Sequence, residues 1–380
     1  MKFNSDYVIW VGSVFSDEMV LNNPAISPAG NKWQLNFINA LVDLGIRVIN
    51  IGHCPERVFP FGKIFVNKQE TIPPDRIRLI SSSYLNLPIL RIIELNILYT
   101  IKLANQLRNY KEKPIYLIGY NTYSYNIIPL LYSKYIKRIK WISLVADPMF
   151  DNSNKINPFY LLSDAKVFVS YELFHSSSSR KKIHFDGGIA GIIDLDRKIL
   201  EREEKIILYT GAIARHTGIE LLVNAFSLIK SSNIRLIICG KSNDQSLKRA
   251  LIDNKKITFM GMVDKQELLS LYARAYLFIN PRLINEKTNR SNFPSKILEY
   301  LSFCKPVIST YTGGIHPVYK EVMQFVYSDN PEELAEKIYE VVSWENAKYL
   351  NNSEKIKEFV EINKIWSKIV VDFNDWARQI

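Results

Sequence analysis

The chain has 380 residues, 47% hydrophobic and 23% charged, which is ordinary for a globular protein and long enough for two domains with separate cores. No apolar run reaches membrane-spanning length, and the N-terminal segment lacks the basic-then-apolar order of a signal peptide, so we expect neither a spanning helix nor a leader. The three cysteines and five histidines are scattered, which predicts no metal site and a reducing, cytoplasmic setting.

The formal net charge is +11, and most of the excess lies in the first half: residues 1–200 hold 24 Lys and Arg against 16 Asp and Glu, and residues 201–380 hold 25 against 22. One basic cluster of the first half is interleaved with aromatic and aliphatic side chains: Lys134, Lys137, Arg138 and Lys140 beside Tyr132, Tyr135, Ile136 and Trp141. This pattern is typical of a surface that contacts anionic lipid headgroups, although a solvated face explains it equally well. Binding to nucleic acid is the weaker interpretation, because no nucleic-acid-binding motif accompanies the cluster.

The first half alternates short apolar runs with amphipathic segments, which predicts a parallel sheet with helices on both faces. The predicted strands are residues 7–12, 46–51, 114–118, 141–145 and 165–170. The predicted helices are residues 30–44, with Gly45 as the terminating residue, and residues 90–107.

The second half repeats this alternation after a small, polar segment at residues 186–191, which we interpret as an interdomain linker. Strands are predicted near Ile206, Ile234, Ile257, Tyr276, Val307 and Phe325. A final helix is predicted over residues 354–376. Sheets of this kind bind ligands at the carboxyl ends of their strands.

The most informative segment is residues 291–301, a loop followed by a helix in which Lys296 and Glu299 lie one turn apart, with an apolar strand directly after it. A helix start attracts anions, Lys296 adds a full positive charge for phosphate, and Glu299 can accept hydrogen bonds from two vicinal hydroxyls such as those of a ribose. The simpler interpretation is an i,i+3 ion pair on an exposed helix face, worth about 0.2–0.5 kcal/mol. Taken alone, the segment favours the simpler interpretation.

Four further runs accompany this segment in a fixed order: residues 206–212, 218–222, 234–241 and 257–263. Together they resemble the signature of group 1 (family 4) glycosyltransferases, which have the GT-B fold. The resemblance covers residues 205–330 well and the first half loosely. It implies an α/β protein with two Rossmann-like parallel-sheet domains that face a central cleft. Residues 1–190 would form the acceptor-binding domain, residues 191–355 the nucleotide-sugar-binding domain, and residues 356–380 a C-terminal helix that crosses back to the first domain.

The resemblance implies a donor site on the second domain. Thr217 stands where the family has a lysine, so Arg215 is the expected replacement for it as a phosphate clamp. Arg215 and Lys296 would stabilise the departing nucleoside diphosphate without a metal, and Glu299 would bind the ribose. The remaining expected donor-binding residues are Gly211, Lys241, Gly261, Val263, Asn292, Phe293 and Ser295. Ser291 stands where the family has a second carboxylate, eight residues before Glu299.

The acceptor side has fewer signals. Gly30 and Asn31 lie where the family has a glycine-rich loop near the reacting centre, and Tyr120 and Asn121 follow a predicted strand. Asp147 also follows a strand and is a candidate catalytic or acceptor-orienting acid, but an ordinary strand-exit turn explains it equally well.

The resemblance, together with these residues, implies a cytoplasmic, metal-independent, retaining hexosyltransferase that needs no cofactor. By resemblance, the donor is a UDP-sugar and the acceptor a glycan or lipid-linked glycan of surface-polysaccharide type, at the inner membrane face. Two alternatives stay open. One is a non-catalytic GT-B partner or scaffold protein, which Ser291 motivates, and the other is a nucleotide-sugar epimerase of the same architecture. The sequence specifies neither the sugar, the acceptor, the linkage nor the oligomeric state.

Overall fold

The computed structural model describes residues 6–68, 77–109, 114–147, 158–241, 244, 251 and 256–380. Their contacts group the chain into two compact units. The first unit comprises Met1–Val169, Phe174–Phe185 and Trp366–Ile380, and the second comprises Ser170–Leu173 and Asp186–Ile365. The predicted domain boundaries, at residues 190 and 355, describe domains that fold separately. The division into compact units does not test them, so they stay predictions.

The first unit contains a seven-stranded parallel sheet with the order β4-β2-β1-β6-β7-β8-β9. Its strands are β1 (Tyr7–Val11), β2 (Arg47–His53), β4 (Ile77–Ser82), β6 (Leu117–Tyr120), β7 (Trp141–Val145), β8 (Ala165–Phe168) and β9 (Lys182–His184). A small antiparallel pair, β3 (Phe65–Val66) and β5 (Tyr84–Leu85), stands apart from it. The predicted strands of this half are confirmed, except that the strand expected at residues 114–118 is β6 and begins three residues later.

The helices of this half cover both faces of the sheet, as expected for parallel strands. They are α1 (Asp17–Asn22), α2 (Pro28–Asp43), α3 (Pro88–Asn109), α4 (Ile127–Leu131), which continues as a π-helical turn (Tyr132–Ile136), and α5 (Tyr171–Ser176). Helix α2 confirms the helix predicted over residues 30–44 but begins two residues earlier, because the Ser27 side chain caps it and Pro28 fits its first turn. Gly45 follows with φ 85°, the left-handed conformation of a helix-terminating glycine.

The second unit contains a six-stranded parallel sheet with the order β12-β11-β10-β13-β14-β15. Its strands are β10 (Lys205–Thr210), β11 (Ile234–Cys239), β12 (Ile257–Gly261), β13 (Leu277–Asn280), β14 (Val307–Thr310) and β15 (Gln324–Val326). Its described helices are α6 (Ile219–Leu228), α7 (Lys265–Arg274), α8 (Lys287–Ser291), α9 (Lys296–Leu301), α10 (Pro331–Val342) and α11 (Asn346–Asn363). Short 3-10 helices occupy Pro158–Leu162 in the first unit and Arg197–Glu201, Arg215–Thr217 and Pro317–Glu321 in the second. All six strands predicted for the second half are confirmed.

The final predicted helix, residues 354–376, is wrong as a single element. Helix α11 ends at Asn363, and α12 (Trp366–Arg378) begins after a two-residue break. At the break the Lys364 amine pairs with the buried Asp186 carboxylate at 2.7 Å, and Ile365 forms a β-bridge with Ile189. These two interactions hold the backbone out of the helix.

Helix α12 belongs to the first unit and packs on α2 through aromatic rings. Trp366 meets Trp33 edge-on with ring centroids 5.3 Å apart, and Phe373 meets Phe37 at 5.0 Å. The last helix therefore completes the hydrophobic core of the unit that begins the chain.

Candidate functional site

Lys296 and Glu299 lie at the start of α9 and form an ion pair, with 2.7 Å between Nζ and Oε2. The two side chains are 36% and 28% exposed, so each is partly buried while remaining in contact with solvent. This is the i,i+3 pair of the simpler interpretation. Its surroundings show that it is more than a pair on an open helix face.

A chain of buried hydroxyls connects the pair to the end of β10. The Tyr272 hydroxyl donates to Glu299 Oε2 at 3.1 Å, and the Thr210 hydroxyl lies 2.9 Å from the Tyr272 oxygen. The Tyr300 hydroxyl accepts from the Thr210 backbone amide at 2.9 Å. The carboxylate is thereby tied to the carboxyl edge of the second sheet.

The electrostatics of this cluster keep the amine charged and the phenol neutral. Burial lowers the pKa of Lys296, but the Glu299 carboxylate, together with the oxygens of Tyr300 and Tyr209, raises it, and their joint effect leaves the pKa above its usual value. Burial raises the pKa of Tyr272, and the neighbouring Glu299 carboxylate raises it further. The site therefore offers one fixed cation, one carboxylate and one hydroxyl donor at neutral pH.

Glycines end three neighbouring strands at the same edge. A Cβ on Gly240, directly after β11, would lie 1.7 Å from the Gly211 carbonyl oxygen, so only glycine fits there. Gly261 ends β12, and its carbonyl accepts from the Gly240 amide at 2.7 Å. The exposed Lys241 directly follows Gly240. Gly211, Lys241 and Gly261 therefore lie at the same edge of the sheet. At Gly261, by contrast, the Cβ position is open space.

Two other expected donor residues lie on loops at this edge. Arg215 follows β10 on an exposed turn and pairs with Glu220, with 3.6 Å between Nε and Oε1. The Asn289 side chain anchors that turn by donating to the His216 carbonyl at 2.6 Å. Val263 follows β12 and is half-buried. The structure thus places Arg215 on a braced loop with Glu220 as its ionic partner.

The loop before α9 combines packing and polar groups. The Phe293 side chain is buried against the Tyr319 ring, with centroids 5.7 Å apart, so this side chain serves the core. Asn292 Oδ1 is buried without a hydrogen-bond partner among the described residues. Ser295 is exposed directly before the helix. The buried Ser291 hydroxyl donates to the Lys287 carbonyl of its own helix at 3.4 Å.

Lys305 braces the helix that carries Tyr272. Its buried amine donates to the backbone carbonyls of Tyr272, Ala273 and Ala275 at 2.8, 2.7 and 2.8 Å. An amine at this position satisfies the free carbonyls of the α7 C-terminus, while burial lowers its pKa to about 7. No pattern in the sequence identifies Tyr272, Thr210 and Lys305 as site residues, because each lies within or next to an apolar run that is typical of the core.

The first unit has a cavity of about 170 Å³ at the carboxyl edge of β1, β2, β6 and β7. The cavity brings together the predicted acceptor residues Gly30, Asn31, Tyr120 and Asn121 and the candidate acid Asp147. These residues come from three separate parts of the sequence. Their convergence places the expected acceptor residues on one wall.

Two amides hold the shape of this cavity. Asn31 accepts from the Phe15 amide at 2.8 Å and donates to its carbonyl at 2.9 Å. Asn121 adopts φ 45° and its Oδ1 accepts from the amides of Ala146 and Asp147 at 2.8 and 3.2 Å. Asn121 therefore fixes the turn that carries Asp147.

His53, which sequence analysis missed, is a buried member of the same wall. Its Nδ1 lies 2.6 Å from the Tyr99 hydroxyl. Burial, and secondarily the charge of Arg91, lower its pKa to about 3, so the imidazole is neutral. Its position as the last residue of β2, at the sheet's carboxyl edge, is the signal that would have identified it.

The predicted basic and aromatic surface is smaller than expected. Tyr135 and Ile136 are 63% and 67% exposed, but Trp141 is fully buried in β7. The prediction that Trp141 belongs to this surface was wrong. Its strand is covered on both faces, so its side chains do not alternate between core and solvent. Among the described residues, no helix is long and apolar enough to cross a bilayer. Within the same residues, no group of three His, Cys, Asp or Glu is placed to hold a metal ion.

Comparison with known proteins matches the second unit to a family. Residues 204–343 match the family model described as glycosyl transferases group 1. A curated relative, an uncharacterised glycosyltransferase of Methanocaldococcus jannaschii, is 27% identical over 164 residues. That match covers 41% of this chain and 40% of the relative's length.

Solved structures match over nearly the whole chain. A sucrose-phosphate synthase from Thermosynechococcus elongatus gives a TM-score of 0.68 at 16% identity, covering 98% of both chains. A glycosyltransferase from Rickettsia africae gives 0.68 at 15% identity, covering 99% of both chains. Anabaena HepE, solved with UDP and glucose, gives 0.65 at 11% identity and covers 98% of this chain and 99% of its own. The chain thus has the GT-B fold of these neighbours, and its residues 204–343 match the family of group 1 glycosyl transferases.

Proposed function

We propose that the protein is a glycosyltransferase that moves a hexosyl unit from a nucleotide sugar to a glycan or lipid-linked glycan. The observation that carries the proposal is the Lys296–Glu299 pair at the carboxyl edge of the second sheet, within the segment that matches the family. The finer parts of the proposal are membership of family 4, a UDP-sugar donor, retention of configuration, independence from metal ions and a role in surface-polysaccharide synthesis at the cytoplasmic face of a membrane.

Lys296 would hold the diphosphate of the donor. As the bond between the sugar and the diphosphate breaks, negative charge grows on the leaving group, and a protonated amine already in place stabilises that charge. Arg215 would join it by leaving Glu220, since a guanidinium binds phosphate oxygens with two parallel hydrogen bonds. These two cations would supply the stabilisation for which other transferases use a metal ion.

Glu299 would bind the ribose hydroxyls, and Gly211, which has no side chain at the end of β10, would let the diphosphate approach that strand end. Gly261 and Val263 would lie against the base. The choice of UDP rests on the complexes of a structural neighbour with UDP and glucose, and with UDP-glucose.

The cavity of the first unit would receive the acceptor. Apart from the Asp147 carboxylate at the rim, its polar wall consists of hydroxyl, amide and aromatic groups, with His53 neutral, and such a wall suits an uncharged sugar ring with its hydroxyls. Asp147, exposed at the rim on the turn that Asn121 fixes, would orient the attacking hydroxyl.

A panel of nucleotides tests the donor part. Ligand binding to the folded state raises the melting temperature, so UDP should raise it more than CMP or inorganic phosphate does. Incubation with UDP-sugars should release UDP, and addition of EDTA should leave the rate of release unchanged. Release of an altered sugar without an acceptor would instead support the epimerase alternative, and the absence of stabilisation by every nucleoside diphosphate would contradict the proposal.

The membrane part of the proposal is supported by the exposed face of α3. Four isoleucines at i,i+4 spacing, Ile89, Ile93, Ile97 and Ile101, are each more than half exposed. Residues 77–147, which include this helix, contain ten Lys and Arg against three Asp and Glu. An apolar stripe in a strongly basic region fits an anionic bilayer surface, where a lipid-linked acceptor would lie.

Co-sedimentation with vesicles tests this part. The protein should bind vesicles of phosphatidylglycerol and phosphatidylcholine more than vesicles of phosphatidylcholine alone, and less as salt rises. The Ile93→Gln/Ile97→Gln variant should lose most of this binding, whereas Leu21→Gln, which changes an exposed leucine of α1, should keep it. Equal binding by both variants would exclude the α3 face.

A non-catalytic binding protein is the second candidate, and Ser291 favours it. The hydroxyl at this position is buried and bonded within its own helix, so it supplies neither the charge nor the reach of the family's carboxylate. Nucleotide binding without any sugar release or transfer would select this candidate.

A further inference from the structure

We propose that Tyr272 is the positioning residue for the donor's ribose, holding the Glu299 carboxylate in place through a hydrogen bond. The proposal rests on the function proposed above and adds a residue that neither the family motif nor the sequence analysis identifies. It follows from the contacts of one oxygen atom, Oε2 of Glu299.

Two donors meet at that oxygen. The Lys296 amine lies 2.7 Å from Oε2, and the Tyr272 hydroxyl lies 3.1 Å from it. Neither contact involves Oε1. The two bonds therefore fix the rotation of the carboxylate, which a single exposed i,i+3 ion pair does only weakly.

The direction of the Tyr272 hydroxyl is set by its other neighbours. The Lys296 amine also points at the phenol oxygen at 3.4 Å, and the Thr210 hydroxyl lies 2.9 Å from it. The Lys296 amine can only donate, whereas the Thr210 hydroxyl can donate or accept. The Glu299 carboxylate can only accept and is a stronger acceptor than a hydroxyl, so the phenol donates to Glu299 and the Thr210 hydroxyl donates to the phenol oxygen. The raised pKa of Tyr272 keeps this proton on the phenol throughout the neutral range.

The Tyr272 ring cannot shift easily. It is buried against Phe303, with ring centroids 4.9 Å apart, and against Phe278 at 5.6 Å. The Lys305 amine holds the end of the same helix through three carbonyls. A donor mounted this rigidly loses little conformational entropy when it acts.

This arrangement matters when the nucleotide arrives. A diphosphate competes with Glu299 for Lys296, and a carboxylate that lost this donor would be held less firmly. With Tyr272 still bonded to Oε2, Glu299 stays in position for the ribose hydroxyls. The phenol thus separates the two tasks of the ion pair, phosphate binding by Lys296 and ribose binding by Glu299.

Calorimetric titration of the Tyr272→Phe variant with UDP and with 2′,3′-dideoxy-UDP tests the inference. Removal of one hydrogen bond should weaken UDP binding about five-fold. Dideoxy-UDP, which lacks the ribose diol, should bind the variant and the wild type equally. Tyr349→Phe is the matched control, since it removes a buried hydroxyl that donates to the Tyr276 carbonyl at 2.7 Å, away from Glu299, and it should change neither affinity.

Three outcomes are informative. Unchanged UDP affinity in Tyr272→Phe, or an equal loss for UDP and dideoxy-UDP, would overturn the inference while leaving the proposed function intact. A wild-type protein that binds no UDP would overturn both. If Tyr272→Phe fails to fold, Thr210→Val removes the hydroxyl that is hydrogen-bonded to Tyr272. This variant should bind UDP about two-fold more weakly, and the loss should again be confined to nucleotides with a ribose diol.

Discussion

The carboxyl edges of the two sheets differ in charge. At the edge of the second sheet, Lys296 and Glu299 keep opposite charges beside glycine-ended strands, and Lys241 and Arg215 follow nearby strands. At the edge of the first sheet, the cavity is lined mainly by hydroxyls, amides and rings, and the buried His53 is neutral. The difference fits the two ligands proposed above: a diphosphate at the charged edge and an uncharged polar acceptor in the cavity.

The two edges also differ in how their side chains are fixed. The charged edge is braced by the buried hydroxyls of Tyr272, Thr210 and Tyr300, whereas the neutral cavity is braced by the side-chain amides of Asn31 and Asn121. Rigid, uncharged side chains that hydrogen-bond to functional groups reduce the reorganisation required when a ligand binds. The charged edge should control turnover and nucleotide affinity, whereas the neutral cavity should control the pH dependence of stability and the KM for the acceptor.

The largest expected effect concerns the pH dependence of stability. His53 is neutral in the folded protein down to about pH 3 and is protonated in the unfolded chain below about pH 6.5. The unfolded state therefore binds more protons between these values, so stability falls as pH drops through this window, by about 5 kcal/mol in total at about 1.36 kcal/mol per pH unit. Urea denaturation of the wild type and of His53→Gln at pH 7 and pH 4.5 measures the difference.

The variant should lose part of this pH dependence, because glutamine keeps a hydrogen-bonding side chain but does not titrate. An identical dependence in both proteins would show that the cavity does not hold His53 neutral, and the contrast between the two edges would fail on that point.

The next effect is on turnover. Lys296→Ala should lower kcat about 100-fold or more, while the dissociation constant for UDP rises much less, because the amine acts mainly on charge that develops as the diphosphate departs. Steady-state kinetics and calorimetry on the same preparation separate the two. Lys337→Ala is a matched control, because it removes another i,i+3 pair of the second unit, Lys337–Glu340, with 2.5 Å between Nζ and Oε2. Equal losses in turnover and affinity for Lys296→Ala would contradict its assigned role.

A smaller effect is expected on nucleotide affinity. Glu299→Ala should weaken UDP binding about ten-fold, because a charged hydrogen bond to the ribose is worth about 1.5 kcal/mol or more. Glu340→Ala, which breaks the Lys337 pair, should leave UDP affinity unchanged. Calorimetry that finds the affinity of Glu299→Ala at the wild-type value would remove the ribose assignment.

The smallest effect should appear at the neutral cavity. Tyr120→Phe removes one hydroxyl from the wall and should raise the KM for the acceptor about three-fold to five-fold, with UDP affinity unchanged. Tyr116→Phe is the control in the same unit, where a buried hydroxyl donates to Asn374 at 3.2 Å. A change in UDP affinity in Tyr120→Phe, or the same KM change in both variants, would break the separation of the two ligands.

The architecture was largely predictable from the sequence, because fully buried parallel strands produce continuous apolar runs with glycine and polar residues at their ends. The runs at β10, β11 and β14 are examples, and each was predicted. The break between α11 and α12 was not, because it depends on Asp186, which lies 178 residues before its partner Lys364. Sequence periodicity contains no information about such a distant partner.

The site was predictable in part for the same reason. Lys296 and Glu299 are close in sequence, so their pairing follows from helix geometry. Tyr272, Thr210 and Lys305 act through contacts between separate elements, and each looks like a core residue in its own segment. Trp141 shows the opposite error: it lies next to a basic cluster in sequence, but its strand is buried.

The most direct test is a crystal structure of the protein with bound UDP. Phosphate oxygens should lie within hydrogen-bonding distance of the Lys296 amine, and both ribose hydroxyls should bind the Glu299 carboxylate, with Tyr272 still bonded to Oε2. UDP bound elsewhere, or UDP at this edge with the Lys296–Glu299 pair intact and its ribose turned away, would contradict the proposed donor site.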